Sequence, residues 1–96
     1  MELENLHQFY TISNSATNGA MDSAWYTATI VKRGKNARNV ILAIYDWSGD
    51  HGEQQGVRMF IPVTTANYSP SLVIEELDFE DGEEEEIMKI LQQIKR

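Results

Sequence analysis

The chain has 96 residues, of which 42% are hydrophobic and 24% charged, and it contains no cysteine. This length predicts one domain spanning residues 1–96, and the absence of cysteine excludes disulfides, thiolate catalysis and cysteine-based metal sites. The formal net charge of −7 argues against binding to duplex DNA, because phosphate contacts need local positive charge.

The sequence carries no signal for a membrane. Its apolar runs are all shorter than the roughly 20 residues that a membrane-spanning helix needs. The first residues, MELENLHQFY, are acidic and lack the apolar core of a signal peptide. We therefore expect a cytoplasmic protein that makes no membrane contact.

The N-terminal quarter predicts a strand and then a loop. Residues Leu6 to Ser13 mix aromatic and β-branched side chains, which favour a first strand. Residues Ser13 to Ser23, SNSATNGAMDS, are rich in small polar side chains and are typical of a loop.

A hairpin is predicted next. Residues Ala24 to Arg33 and Ala37 to Trp47 are rich in β-forming residues and flank a tip that contains glycine. A turn centred between Lys35 and Asn36 would pair Tyr26 with Tyr45, Ala28 with Ala43 and Ile30 with Ile41. Such aromatic cross-strand pairs stabilise a sheet.

The stretch from Tyr45 to Gly56, YDWSGDHGEQQG, has the residue types of a metal or acid–base site: Asp46, Ser48, Asp50, His51 and Glu53. A calcium loop would need glycine at His51 and a bidentate glutamate at Val57. His7 is the other histidine of the chain and is distant in sequence, so a zinc site has few ligands. We interpret the stretch as a connecting loop; a metal-dependent or hydrolase-like enzyme that uses these residues is a weaker alternative.

Two further strands and a turn follow. Residues Val57 to Val63 alternate in polarity as a strand does, and Pro62 marks a sheet edge or a strand end. Residues Thr64 to Pro70 predict a turn, and Ser71 to Glu80 predict a last strand that ends in acidic residues.

The C-terminus predicts a helix from about residue 82 to 95. Asp81 is a good N-cap, and Glu84 completes a capping-box pattern. An apolar stripe recurs with helical spacing at Ile87, Ile90, Leu91 and Ile94. Lys95 and Arg96 suit the negative end of the helix dipole. The fold class is therefore α+β, with a small antiparallel sheet of about four or five strands and this amphipathic helix packed on one face.

Charge is segregated along the chain, and this is its most informative global feature. Nine of the twelve positions from Glu75 to Glu86 are acidic. The helix dipole accounts for the glutamates of the first helical turn but not for those that precede it. We predict that this acidic face binds a basic protein partner as a nucleic-acid mimic would. Its candidate residues are Glu75, Glu76, Asp78, Glu80, Asp81, Glu83 and Glu84.

An alternative site combines the basic hairpin tip with nearby aromatic residues. Its candidates are Lys32, Arg33, Lys35, Arg38, Trp25 and Trp47. They could bind RNA by stacking and phosphate contact. Trp25 and Trp47 could also form, with Tyr26, Tyr45 and Phe60, an aromatic cage for a modified peptide. The pattern of two β-rich runs around a turn in residues 25–47 is similar to the opening strands of a Tudor or SH3-like barrel, without a diagnostic motif. The tip could also meet the acidic segment of a second copy and form a homodimer.

The sequence contains none of the GxxxxGK[ST], GxGxxG, HExxH and GxSxG motifs, and we predict no catalytic residue, metal site or cofactor. Small size and acidic charge match the profile of small inhibitors, including phage anti-defence proteins and immunity proteins. We therefore expect a non-enzymatic interaction protein, with the small RNA- or peptide-binding module as the alternative.

Overall fold

Five strands and one helix make up the fold in the computed structural model, which describes residues 1–16, 19–32, 34–50, 52–64 and 72–94. The strands form a single antiparallel sheet in the order β1-β2-β3-β4-β5, and the helix lies on one of its faces. The predicted α+β fold is confirmed. The elements are β1 Glu2–Ala16, β2 Gly19–Val31, β3 Arg38–Gly49, β4 Gly52–Thr64, β5 Leu72–Leu77 and α1 Glu83–Ile94.

The hydrophobic core lies between α1 and one face of the sheet, which we call the covered face. Ile87 and Leu91 of the helix are both 0% exposed, as is Leu42 at the centre of the sheet. Alternate residues of the three middle strands complete this layer, because successive side chains of a strand point to opposite faces. They are Ala24, Tyr26, Ala28 and Ile30 of β2, Val40 and Ile44 of β3, and Val57 and Met59 of β4.

The register of the β2–β3 hairpin differs from the predicted one by three residues. Tyr26 pairs with Leu42 rather than with Tyr45, and Ile30 pairs with Arg38. The turn is centred on Gly34, whose φ of 78° is readily adopted only by glycine, and the Lys35 amide donates to the Lys32 carbonyl. Because the shift is an odd number, Tyr26 shares a face with Val40, Leu42 and Ile44 of β3. The predicted register would have placed it with Ile41, Ala43 and Tyr45.

Both segments that were predicted as loops are largely strand. Between Ser13 and Ser23, strand β1 continues to Ala16 and β2 begins at Gly19. Between Tyr45 and Gly56, the ladder runs up to the pair Gly49 and Gly52, so that only a tight turn remains. Small and polar residues are tolerated in these strand ends because they extend beyond the part of the sheet that the helix buries, and the ladder hydrogen bonds compensate for low β propensity.

The last elements confirm the predicted strand and helix with corrected ends. Pro62 pairs with Ile74 of β5 and lies beyond the last β3–β4 pair, Ile41 with Phe60. The first helical hydrogen bond joins the Glu86 amide to the Gly82 carbonyl, which makes Gly82 the N-cap instead of Asp81. Ile94 of the apolar stripe is 51% exposed. Of the turn predicted from Thr64 to Pro70, Thr64 is the last residue of β4, and the remaining residues lie outside the described ones, as do Lys95 and Arg96.

The other face of the sheet has no helix on it in the described part of the chain, and we call it the open face. The molecule is accordingly thin, with extents of 41 × 37 × 22 Å and a radius of gyration of 15.0 Å. A fully compact chain of this length would have a radius of gyration of roughly 12–13 Å. The described strands form an open sheet in which β1 and β5 are the edges, and they do not close into a barrel of the Tudor or SH3-like kind.

Helix α1, the one helix of the described ranges, is not long and apolar enough to cross a membrane.

Candidate binding surfaces

The basic tip and the acidic segment contact each other within one chain. The Lys32 ammonium pairs with the carboxylates of both Glu80 and Glu83, and Lys35 Nζ lies 3.2 Å from Glu80 Oε1. Glu83 is only 5% exposed, so its charge is compensated by Lys32 rather than by water. These four residues, which we call the lysine cluster, tie the β2–β3 turn to the first turn of α1. These lysines and glutamates therefore satisfy one another internally and need no second copy.

The pairing shifts the pKa values of Glu80 and Lys32 in opposite directions. Hydrogen bonding from Lys32, and then from Lys35, holds the pKa of the Glu80 carboxyl below its ordinary value. Hydrogen bonding to Glu80 and Glu83 raises the pKa of Lys32. Both shifts favour the charged forms, so Glu80 and Lys32 stay ionised across the neutral range.

The predicted acidic face is divided into three parts by the fold. Glu80 and Glu83 belong to the lysine cluster. Glu76 pairs with Phe60 across the ladder and therefore lies on the open face, where its Oε1 is 3.7 Å from Arg58 Nε. The other four predicted carboxylates, together with Glu85 and Glu86, form what we call the acidic end, a set of exposed carboxylates on the β5 strand, the connection and the first helical turn. Its members are Glu75, Asp78, Asp81, Glu84, Glu85 and Glu86.

The open face carries a group of aromatic rings on three neighbouring strands, among them four of the five rings named as a possible cage, Trp25, Tyr45, Trp47 and Phe60. The ring centroids of Trp25 and Phe60 are 5.5 Å apart, with an angle of 22° between the ring planes. Trp25 lies on β2 and Phe60 on β4, so the stack spans the intervening strand β3. Ala43, which is opposite Trp25 in the ladder, is only 5% exposed. The stack therefore shields the middle of a face that has no helix on it.

Two glycines allow further rings to lie close to the sheet. Gly56 is opposite Tyr45, and a Cβ at Gly56 would be 2.0 Å from Tyr45 Oη and 2.1 Å from its Cζ. A Cβ at Gly19 would be 2.7 Å from Cζ2 of Trp47. Since real Cβ atoms do not come this close to other atoms, only glycine is compatible with these ring positions. Sequence inspection could find such glycine–aromatic pairs only if the register were already known.

The rings border a shallow depression of about 340 Å³ on the open face. Its lining is mainly apolar, and Arg58, Asn14 and Ser23 supply the polar groups. We call it the aromatic depression. The full lining is Ile12, Asn14, Met21, Ser23, Trp25, Ala43, Tyr45, Arg58 and Phe60.

The residues predicted for the alternative site lie on two sides of the molecule. Trp25 and Trp47 are on the open face, whereas Arg38 pairs with Ile30 and therefore lies on the covered face beside Glu80 and Glu83. Lys32 and Lys35 are engaged by Glu80. Arg33 lies outside the described residues. The tip and the aromatic residues thus do not form one continuous surface among the described residues.

The polar residues that resembled a metal site are spread along a hairpin. Asp46 and Ser48 lie on β3, and Glu53, which is opposite Ser48, lies on β4. Asp50 is in the turn and is exposed, and His51 is outside the described residues. Within the ranges that the structure describes, no group of three or more histidine, aspartate or glutamate side chains is placed to hold a metal ion.

Comparison with known proteins gives no match. No family model matches the chain, and no curated protein or solved structure is significantly similar to it.

Proposed function

We propose that the chain is a non-enzymatic interaction protein of the cytoplasm, which binds a basic protein partner through its acidic end. The partner class that fits is a protein that handles nucleic acid, since its binding groove is basic. The observation that supports this proposal is the exposure of all six acidic-end carboxylates, from Glu75 to Glu86, next to lysines that are already paired with other glutamates.

The lysine cluster makes the acidic end a better docking surface than its composition alone suggests. Lys32 and Lys35 neutralise Glu80 and Glu83, and these ion pairs engage both lysines, so the six carboxylates of the acidic end keep their negative charge toward a partner. The same ion pairs fix the start of α1 on the β2–β3 turn, so several carboxylates are held by a rigid support. A preorganised field of one sign speeds association with an oppositely charged partner and confers selectivity.

The biological role that we propose is inhibition, of the kind that phage anti-defence proteins and immunity proteins exert. A small protein that occupies a nucleic-acid groove with carboxylates needs no catalytic group, since blocking the groove is enough. This part of the proposal depends on the acidic end and on the small size of the chain.

The test compares two charge reversals of equal size. Glu75→Lys/Asp78→Lys changes the acidic end, and Asp50→Lys/Glu53→Lys makes the same change in net charge at the β3–β4 turn, at the opposite end of β3. Each variant and the wild type are used to capture proteins from nuclease-treated host lysate, and the captured protein is then purified and titrated by calorimetry. We expect wild type and the turn variant to bind and the acidic-end variant to lose affinity by more than about tenfold.

Equal binding by all three proteins contradicts the proposal. An equal loss in both variants indicates attraction by net charge alone and also contradicts a specific acidic surface. Circular dichroism spectra of all three proteins establish that the fold is retained.

The aromatic depression supports a second candidate function, the binding of a modified basic peptide. The side chains of Trp25, Tyr45 and Phe60 border the depression, and aromatic rings attract methylated ammonium groups. The net charge of −7 favours a cationic ligand over RNA phosphates. Arg58 in the lining is partly offset by Glu76.

Tryptophan fluorescence can test this second candidate, with Trp47→Phe used to leave Trp25 as the reporter. A trimethyl-lysine peptide should change the emission of Trp25, and the same peptide with unmodified lysine should bind several-fold more weakly. A salt-sensitive response to single-stranded RNA, with none to the peptide, would favour the nucleic-acid alternative.

A further inference from the structure

Strand β1 is a long edge strand with exposed apolar side chains. It has 15 residues, Glu2–Ala16, and only β2 pairs with it among the described strands. Phe9 is 50% exposed and Tyr10 is 57% exposed. The outer backbone groups of such a strand are available to pair with another chain.

The two edges of the sheet differ in how well they are protected against pairing. Strand β5 has six residues, and Glu75 and Glu76 lie in its middle, so two copies joined there would bring carboxylates together. In β1, the residues from Asn5 to Ala16 include no aspartate, glutamate, lysine or arginine, in a chain of which 24% is charged. Short length and charge are the usual protections of an edge, and the stretch of β1 from Asn5 to Ala16 has neither.

Only the second half of β1 is regular enough for a strand of another chain to pair with it. The register with β2 shifts between Glu4 and His7 and again between Gln8 and Tyr10, and Asn5 has a φ of 54°. Such bulges twist an edge and discourage pairing. From Tyr10 to Ala16 the register runs without a shift.

We propose that a second copy of this chain pairs with the Tyr10 to Ala16 segment, antiparallel and around a two-fold axis at Ser13. Two copies, each with a net charge of −7, repel each other. A contact between them is therefore favoured where both surfaces are uncharged, as they are along this segment of β1. An isologous two-fold contact places the same segment on both sides. In the antiparallel register that is symmetric about Ser13, Thr11 lies opposite Ser15 of the second copy, and Ile12 lies opposite its Asn14.

This dimer would join the two sheets into one of ten strands, with the open faces continuous. Tyr10 is opposite Trp25 and Ile12 is opposite Ser23, so both lie on the open face beside the junction. Ile12 and Asn14 also line the aromatic depression, so the second copy would extend its wall. The acidic end is at the opposite edge of the sheet and stays available in each copy. The inference therefore does not depend on the proposed function.

The experiment uses opposing charges at two exposed positions of the full chain. In Thr11→Lys/Ser15→Lys, the proposed register places lysine opposite lysine twice across the two-fold axis. In Thr11→Lys/Ser15→Glu, it places lysine opposite glutamate. Gln54→Lys/Gln93→Lys adds two lysines at exposed positions away from β1 and is the control. Sedimentation velocity over a wide range of concentration gives the dimer dissociation constant of each protein.

We expect dimers for wild type, for the control and for the lysine–glutamate variant, and a dissociation constant at least roughly tenfold higher for the double-lysine variant. A wild-type protein that is monomeric at every concentration overturns the proposal. Dimers that are insensitive to the double-lysine change overturn the assignment to β1. Failure of the lysine–glutamate variant to restore the dimer overturns the register at Ser13. Thermal unfolding of each variant separates loss of the dimer from loss of the fold.

Discussion

At the scale of single residues, Gly56 shows how one missing side chain can organise a surface. Strand interiors disfavour glycine, because it adds conformational freedom to the unfolded chain and has no side chain to pack. Here it leaves space for the ring of Tyr45, which would otherwise be 2.0 Å to 2.6 Å from a Cβ atom. The ring in turn covers the backbone that the glycine leaves bare.

We predict that Gly56→Ala lowers the free energy of unfolding by about 1–3 kcal/mol, because the Tyr45 ring must leave its position. In a Tyr45→Ala background the same substitution should be neutral or stabilising, by up to about 1 kcal/mol, because alanine restricts the unfolded chain. Urea unfolding of the four proteins of this double-mutant cycle measures the coupling. A penalty of equal size in both backgrounds would show that the ring is not the cause.

At the scale of elements, α1 is held against the sheet by the part of its apolar stripe that precedes Ile94. Ile87 and Leu91 are fully buried, whereas Ile94 at the end of the helix is 51% exposed. Gln92 donates a side-chain hydrogen bond to Gln55 of β4, near the end of the sheet opposite to the lysine cluster. The helix therefore extends from the β2–β3 turn, where Lys32 holds its first residue, toward the β3–β4 turn.

Leu91→Ala is expected to lower the free energy of unfolding by about 2–5 kcal/mol, since it opens a cavity between α1 and the sheet. Ile94→Ala removes a side chain of the same size from the same stripe and should cost less than about 1 kcal/mol, because that side chain is half exposed. Chemical denaturation of both variants compares the two sites. Similar losses would mean that the C-terminal turn of the helix is packed as tightly as its middle.

At the scale of the whole molecule, ionic contacts join parts that are distant in sequence. Lys32 at the β2–β3 turn and Glu80 before the helix are 48 residues apart and form an ion pair. Since this contact lowers the pKa of Glu80, its contribution to stability is fully present above the ordinary carboxyl pKa of 4.5 and is lost as the pH falls through the lower folded value. Since it raises the pKa of Lys32, the contribution is fully present below the ordinary lysine pKa of 10.5 and is lost above it.

We therefore predict that Glu80→Gln reduces stability at neutral pH and weakens the decline in stability between neutral and acidic pH. Urea midpoints measured across this range, with Glu53→Gln as the control at the other end of the sheet, test the prediction. The control should retain the pH dependence of the wild type. If Glu80→Gln and Glu53→Gln have the same pH profile, the lysine cluster does not contribute to acid sensitivity.

Local sequence patterns predicted the type of most elements. The β-rich runs on each side of Gly34 became β2 and β3, and the spacing of Ile87, Ile90 and Leu91 predicted α1 to within about one residue at each end. The predicted loops failed because strand β1 and the ends of β2, β3 and β4 are held by ladder hydrogen bonds, which composition does not reveal. The charge pattern predicted the acidic segment as a binding site, which stays a prediction, and it did not predict the pairing of Glu80 and Glu83 with the tip of the same chain.

The sequence by itself determined the α+β class, the amphipathic helix and the segregation of charge, because each follows from residue types at local spacings of two to four. Only the tertiary structure decided which rings and charges meet. A three-residue difference in the β2–β3 register separates Tyr26 from Tyr45 and places them on opposite faces, so that Tyr26 is in the core and Tyr45 lies over Gly56. The physical reason is that pairing between strands depends on the turn conformation at Gly34 and on burial of one whole face, which are properties of the assembled sheet.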